Sequence, residues 1–251
     1  MKLNGQIIKV NDIQETDIDA MFDLMNLYFE GMSRDVFEID LYEKQWIIIL
    51  RDCITEEIKG FSTQMIMDKT MEGIPYKIVF SGDTIIHKDY WGELELMRIF
   101  SKLIFYLIKR YRGIKLYWFL ISMGYKTYRF LPVFFKDFYP RYDKEIPEHE
   151  KKLLDALGYQ KYPKEYDNKL GVIKPSNTEV SLRKGVADIS ERLLKNPHIY
   201  YFTKKNPLHY KGYELACIAE LTMENLKPTA YKVIMSSKQS HDAIFQANTI
   251  C

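Results

Sequence analysis

No two of the three cysteines, Cys53, Cys217 and Cys251, stand close enough to form a CxxC pair, so the sequence carries neither a disulfide framework nor a zinc knuckle. A reducing cytoplasm is the expected compartment. Twelve glycines and nine prolines in 251 residues are too few for a collagen-like or low-complexity chain, and no period of 20–50 residues recurs, which argues against a solenoid or propeller. Long apolar runs are missing too: charge returns quickly after the first residues, and the uncharged aromatic run from Leu116 to Gly124 is too short to cross a bilayer. There is no GxxxxGK[ST], GxGxxG, HExxH or GxSxG, so P-loop, dinucleotide, zincin and hydrolase-elbow chemistries have no motif to rest on. The five histidines are scattered. His198 and His209 share a region with Glu214 and Cys217, but at the spacing of no standard metal loop, and no metal is expected.

What remains is a globular composition, 47% hydrophobic, 28% charged and 14% aromatic. A chain of this length can bury a sizeable core without cross-links. The net charge of +2 is unevenly spread. Between Glu95 and Asp137 nine Lys and Arg stand with no acidic residue, leaving the remainder at −7. Such a stretch is either a local anion-binding face or a set of solvated positions flanking a buried strand. Its interleaved rings, such as Phe100, Tyr106 and Trp118, fit a packed core better than base stacking, and no nucleic-acid partner is expected; peripheral membrane contact stays open.

Periodicity predicts a first helix near Asp17 to Glu30, capped by Thr16 or Asp17. Leu41 to Arg51 reads as a helix or as the approach to a strand. Ile58–Met67 and Tyr76–Ile86 are predicted to pair as a hairpin around a turn at Asp68 to Pro75. The loop HKDYWG then leads to a long helix from about Glu93 to Tyr111, stopped by Gly113, a buried strand Lys115 to Ser122, and a Tyr125–Tyr139 segment broken at Pro132. Beyond Asp143 the text is more polar. Short helices are expected from Glu148 to Leu157, ending at Gly158, and from Ala187 to Lys195, followed by an apolar stretch from Leu215 to Leu221. The mixed α/β order is expected to form residues 1–145 as a core and 146–251 as an extension packed on it.

The succession of strand Ile78–Ile86, loop HKDYWG, long helix and strand LYWFLIS resembles the acyl-CoA-binding core of the GNAT acyltransferase superfamily, over roughly Ile13 to Asp143. The resemblance implies a mixed, mainly antiparallel central sheet flanked by helices, with a cofactor pyrophosphate held at the start of the long helix. A helix N-terminus suits an anion on physical grounds alone, through unpaired N–H groups and the helix dipole. Gly92, Glu93 and Leu94 occupy that turn, and Arg129 supplies nearby positive charge. Of the family pattern Arg/Gln-x-x-Gly-x-Gly/Ala only Gly92 matches; Leu94 and Leu96 stand where small residues are usual. The implied donor is therefore an acyl-CoA or the acyl-phosphopantetheine arm of an acyl carrier protein, and the acceptor an amine on a small molecule or peptide. The family's thiolate-protonating tyrosine falls on Tyr128, with Tyr125 as second choice, a phenol being able to protonate a departing thiolate. Asp83 and His87, in and after the strand IVFSGDTIIH, are the candidates for removing the amine proton. The alternative is a non-catalytic binding module that keeps the fold.

Overall fold

The computed structural model describes residues 2–176, 180–186 and 188–236, the side chains of 234–236 apart. Cys251, His241 and Ala187, where a helix was expected to start, lie outside the described residues. In chain order the elements are β1 (Leu3–Lys9), α1 (Glu15–Tyr28), β2 (Phe29–Glu30), α2 (Arg34–Glu43), β3 (Trp46–Asp52), β4 (Ile58–Met71), β5 (Ile74–Ile86), α3 (Glu95–Arg110) and β6 (Lys115–Ser122). They continue with α4 (Tyr125–Tyr128), α5 (Phe130–Phe134), α6 (Glu148–Lys161), β7 (Tyr166–Asp167), β8 (Val172–Ile173), β9 (Ser181–Leu182), α7 (Glu191–Leu194), α8 (Pro197–Lys205), β10 (Glu214–Glu220) and α9 (Pro228–Ser236).

One sheet, in the order β1-β3-β4-β5-β6-β10-β8-β7, takes strands from both sides of residue 145. Every pairing in it is antiparallel except β5 with β6. A parallel neighbour requires a crossover, and α3 supplies it. One face of the sheet buries Trp118, Leu120 and Val79 against α3. The other buries Phe80, Phe119 and Ile218 against α6, while Ile47, Ile49 and Phe61 pack on α1 and α2. The fold is a mixed, mainly antiparallel α/β arrangement, with the C-terminal extension contributing β10 to the same sheet.

Several boundaries differ from the sequence reading. β1 was not anticipated: its Gly5 accommodates Ile99 and Glu95, and a Cβ there would lie 2.5 Å from Ile99 Cγ1. The first helix begins earlier, at Glu15, and no side chain caps it. Asp17 instead pairs with Arg51 at 2.6 Å. The ambiguous Leu41–Arg51 run contains both a helix end and a strand. The hairpin strands extend to a turn of only Glu72 and Gly73, both at positive φ. The helix expected to stop at Gly158 runs on to Lys161, because a Cβ at Gly158 would sit 2.6 Å from the Tyr166 ring; the glycine is there for close packing. Asn196 caps α8 by accepting from His198 N and Ile199 N, with Pro197 in the first turn.

The feature that makes a site is a parting of strands. β5 and β6 pair from Tyr76↔Lys115 to Ser81↔Leu120 and no further, although both strands continue. On the other edge of β5 the register with β4 jumps from Ser62↔Thr84 to Gln64↔Ser81, so Gly82 and Asp83 together face Thr63 in a bulge. The bulge turns β5 away from β6. A buried polar chain holds it: Trp118 Nε1 donates to Ser81 Oγ at 2.9 Å, Ser81 Oγ to Gln64 Oε1 at 2.7 Å, and Gln64 Nε2 to Ser62 Oγ at 2.7 Å. Ser62 Oγ lies 2.7 Å from Thr84 Oγ1, beyond the bulge. Buried groups satisfied in series fix one geometry.

Candidate active site

The parted strands open a cleft of ≈ 620 Å³. Gly82 to Ile86 of β5 line one side, and Ile121, Met123 and Gly124 after β6 line the other. Trp91 to Leu94, Asp40 and Glu214 complete the lining. Leu182 and Val186, from the C-terminal extension, form part of the wall. Their segment is tied across the cleft, since Arg183 N donates to Tyr28 O at 2.8 Å and Lys126 Nζ to Val186 O at 2.7 Å.

The HKDYWG loop is anchored on both flanks. Lys88 N donates to Tyr28 Oη at 2.6 Å, Trp91 Nε1 to Ile86 O at 2.8 Å, and Tyr90 Oη to Asp52 Oδ2 at 2.6 Å. His87, expected as a base, does not line the cleft; it packs edge-on against Tyr28 and Tyr90 and starts the loop's single 3₁₀ turn. Gly92 has φ +105° and open space where a Cβ would be. The helix starts at Glu95 rather than Glu93, with exposed Leu94 as an N-cap that offers no side-chain acceptor. The first backbone bond runs from Arg98 N to Leu94 O, so the N–H groups of Glu95, Leu96 and Met97 have no acceptor among the described residues. Glu95 does not spoil this anion site. Its carboxylate accepts from Gly5 N at 2.9 Å and from Arg98 Nε at 2.7 Å, and is thereby neutralised.

Asp83, Gly92, Glu93, Leu94, Tyr125 and Arg129, all singled out in the sequence, line the cleft together. Tyr128 does not. It is fully buried, donates to Pro140 O at 2.9 Å and packs on Phe138 and Phe202, and burial pushes its hydroxyl far above the ordinary tyrosine range. Tyr125 is the tyrosine of this pair that reaches the cleft; burial raises its pKa as well, with Arg129 opposing. The basic stretch is not one face. Only Lys126 and Arg129 of its nine cations line the cleft, while Arg98 binds Glu95, Arg110 binds Tyr106 at 2.9 Å and Lys136 binds Glu224 O at 2.7 Å. Lys126 Nζ lies 3.0 Å from the centroid of the Trp91 ring, and burial pushes its pKa down to about 8.

The acidic region of the cleft comes from three separate elements: Asp40 of α2, Asp83 of the bulge and Glu214 at the start of β10. Asp83 is pushed up to about 7, first by burial and then by Asp40, with Lys44 opposing. Glu214 is pushed up to about 8, again first by burial and then by Asp83 and Asp40. Lys44 is itself engaged, its Nζ 2.7 Å from Asp40 Oδ2 and 3.3 Å from Glu43 Oε2. Asp83 makes no ion pair among the described residues. Sequence reasoning placed Glu214 only in a dismissed metal grouping, and no local pattern links it to Asp83 131 positions earlier. Among the described residues no group of three or more His, Cys, Asp or Glu is placed to hold a metal ion, and no helix is long and apolar enough to cross a membrane.

No family model matches the chain, and no curated protein does. Solved structures do. A conserved Enterococcus faecalis V583 protein described as a probable N-acyltransferase aligns at 16% identity over 64% of this chain and 43% of its own length, with TM-score 0.39. This chain therefore spans less than half of that protein. An Escherichia coli GNAT family N-acetyltransferase in complex with CoA aligns at 14% identity over 52% of this chain and 69% of its own, with TM-score 0.36. A Trypanosoma brucei acetyltransferase aligns at 14% identity over 58% of this chain and 98% of its own, with TM-score 0.39.

Proposed function

We propose that the protein is an acyltransferase that moves an acyl group from a CoA thioester to an amine. The observation that carries this reading is the cleft at the parted strands, lined by both a free helix N-terminus and a protonatable carboxyl pair. The unpaired N–H groups at the start of α3, with Gly92 leaving space beside them, fit a pyrophosphate. Trp91, Leu94, Phe130 and Val133 give the cleft apolar walls suited to an acyl chain longer than acetyl. Nothing in the structure favours a carrier protein over CoA as donor. Asp40, Asp83 and Glu214 favour an acceptor that arrives as a cationic amine.

A bound acyl thioester supplies the electrophilic carbonyl and the sulfur leaving group. The acceptor ammonium first gives one proton to Asp83 or Glu214, which frees the nitrogen lone pair, and the other carboxylate takes the second proton as the C–N bond forms; with pKa values near neutrality, the pair can hold these protons and release them. Tyr125, kept protonated by its raised pKa, gives its proton to the sulfur as the C–S bond breaks. The buried network behind the bulge keeps Asp83 in place.

Calorimetric titration with acetyl-, octanoyl- and palmitoyl-CoA tests the donor site. At least one is expected to bind, and Leu94→Asp, which caps α3 but sets a negative charge at its start, is expected to weaken binding roughly tenfold with the fold intact. No heat with any of the three would leave the non-catalytic binding module as the better reading. The acid pair makes a separate prediction. A carboxylate base works only when deprotonated, so turnover should rise with pH and level off above about 8, the higher of the two raised values. Asp83→Asn and Glu214→Gln should each lower the plateau, and Asp83→Asn should also move the remaining limb to lower pH, because Asp83, after burial, helps to raise Glu214. An unchanged profile in both variants removes the pair from the reaction.

A further inference from the structure

Phe130, Val133 and Phe134 of α5 line the cleft together. Phe134 also lines a second cavity, a narrow pocket of ≈ 30 Å³ between α3, α5 and α9. It is the one described residue that borders both spaces, so its ring is the wall between them. Beyond the ring, Met97, Phe100, Ile104 and Ile108 follow one another at helical spacing along α3 and make the pocket apolar. Its two hydroxyls are committed locally: Ser101 Oγ donates to Met97 O at 2.6 Å, and Thr222 Oγ1 accepts from Asn225 N at 3.2 Å. The wall is held firmly. Phe134 is buried and stacks on Phe130 with ring centroids 6.3 Å apart. The C-terminal extension fastens α5 from outside, since Lys227 N donates to Phe134 O at 2.9 Å and Lys227 Nζ to Pro132 O at 2.7 Å.

From this we infer that Phe134 sets the length of the acyl chain: the cleft takes a medium-length fatty acyl group whose end meets this ring, and the pocket behind it is the space a longer chain would need. The inference rests on the acyltransferase reading and narrows the class of donor within it. A pocket with no free polar group penalises a purine or an ammonium ion, whereas an alkyl chain loses nothing by entering. With the ring in place the pocket holds no more than the ~30 Å³ that one water occupies in the liquid, so no chain can extend into it. Removing the ring takes away six carbon atoms and joins the two spaces, leaving room for roughly four methylene groups. Each methylene buried there should tighten binding roughly fourfold.

Calorimetric titration of the full chain with octanoyl-CoA and dodecanoyl-CoA tests the stop, with the melting temperature of each variant confirming its fold. The parent is expected to bind octanoyl-CoA at least tenfold more tightly than dodecanoyl-CoA, and Phe134→Ala to reverse that order. Phe134→Leu, which disturbs the packing less, should move the ratio the same way by a smaller factor. Adding Ser101→Leu to Phe134→Ala refills the pocket from α3 and should restore the parental order, a rescue that a merely structural role for Phe134 would not produce. The inference is overturned if the parent binds dodecanoyl-CoA as tightly as octanoyl-CoA, if both single variants keep the parental order, or if the double variant keeps the gain. Octanoyl-CoA bound with the order unmoved by the variants overturns this inference alone; no heat with either thioester overturns the acyltransferase reading together with it.

Discussion

Tyr125→Phe is expected to lower turnover by about 10²–10⁴-fold, the usual contribution of a general acid, with little change in stability or donor affinity. The substitution keeps a ring that is buried in the core and lines the cleft, and removes one hydroxyl that makes no hydrogen bond among the described residues. Tyr128→Phe, three residues on, should behave in the opposite way. It removes the donor to Pro140 O and leaves a buried carbonyl unpaired, at a cost of about 1–3 kcal/mol, readable as a lower urea midpoint at unchanged slope. Its turnover per folded molecule should match the parent. If Tyr125→Phe keeps full turnover, the proton for the departing sulfur has another source; if Tyr128→Phe abolishes turnover at unchanged stability, the buried tyrosine is the acid after all.

A chain ended after residue 145 is expected to be insoluble or molten. The truncation strips β10 from β6, a pairing of six residues from Leu215↔Ser122 to Glu220↔Tyr117, and leaves the hydrophobic strand LYWFLIS as an open edge. It also removes Leu153, Leu157, Phe202, Leu215 and Ile218, all fully buried. Each such side chain contributes about 1.5–3 kcal/mol on burial, so together they approach or exceed the whole stability of an ordinary domain, about 5–15 kcal/mol. Near-ultraviolet circular dichroism and dye binding should show lost packing and exposed apolar surface. A dispersed amide spectrum with a sharp melt would instead show that residues 1–145 fold alone, and the division into core and dependent extension would need redrawing.

The two variants and the truncation bear on the same contrast between local and distant information. Local signals reported what local physics controls. The apolar spacing of α3 and its arrest after Arg110, the buried run of β6 and the hairpin of β4 and β5 all follow from side-chain periodicity and turn chemistry within one segment. The mixed, mainly antiparallel α/β arrangement was legible from that succession, as were Asp83, Gly92, Glu93, Leu94, Tyr125 and Arg129 as neighbours in one cleft.

What the sequence by itself determined is the succession from the first helix through the β4–β5 hairpin and α3 to β6, because helix and strand periods are written in residues a few positions apart. Tertiary structure alone decided which of two tyrosines faces the cleft. Three residues of helix, about 300° of rotation, separate the wall position from the core position, and the packing of Phe138 and Phe202 claims Tyr128. It also decided the bulge at Gly82–Asp83, which exists only against Thr63 of the neighbouring strand. Glu214 joins Asp83 for the same reason: β10 returns from the C-terminal extension to pair with β6, and the burial, with repulsion from neighbouring acids, that brings both carboxyls near neutral pH arises from a placement in space that no spacing along the chain records.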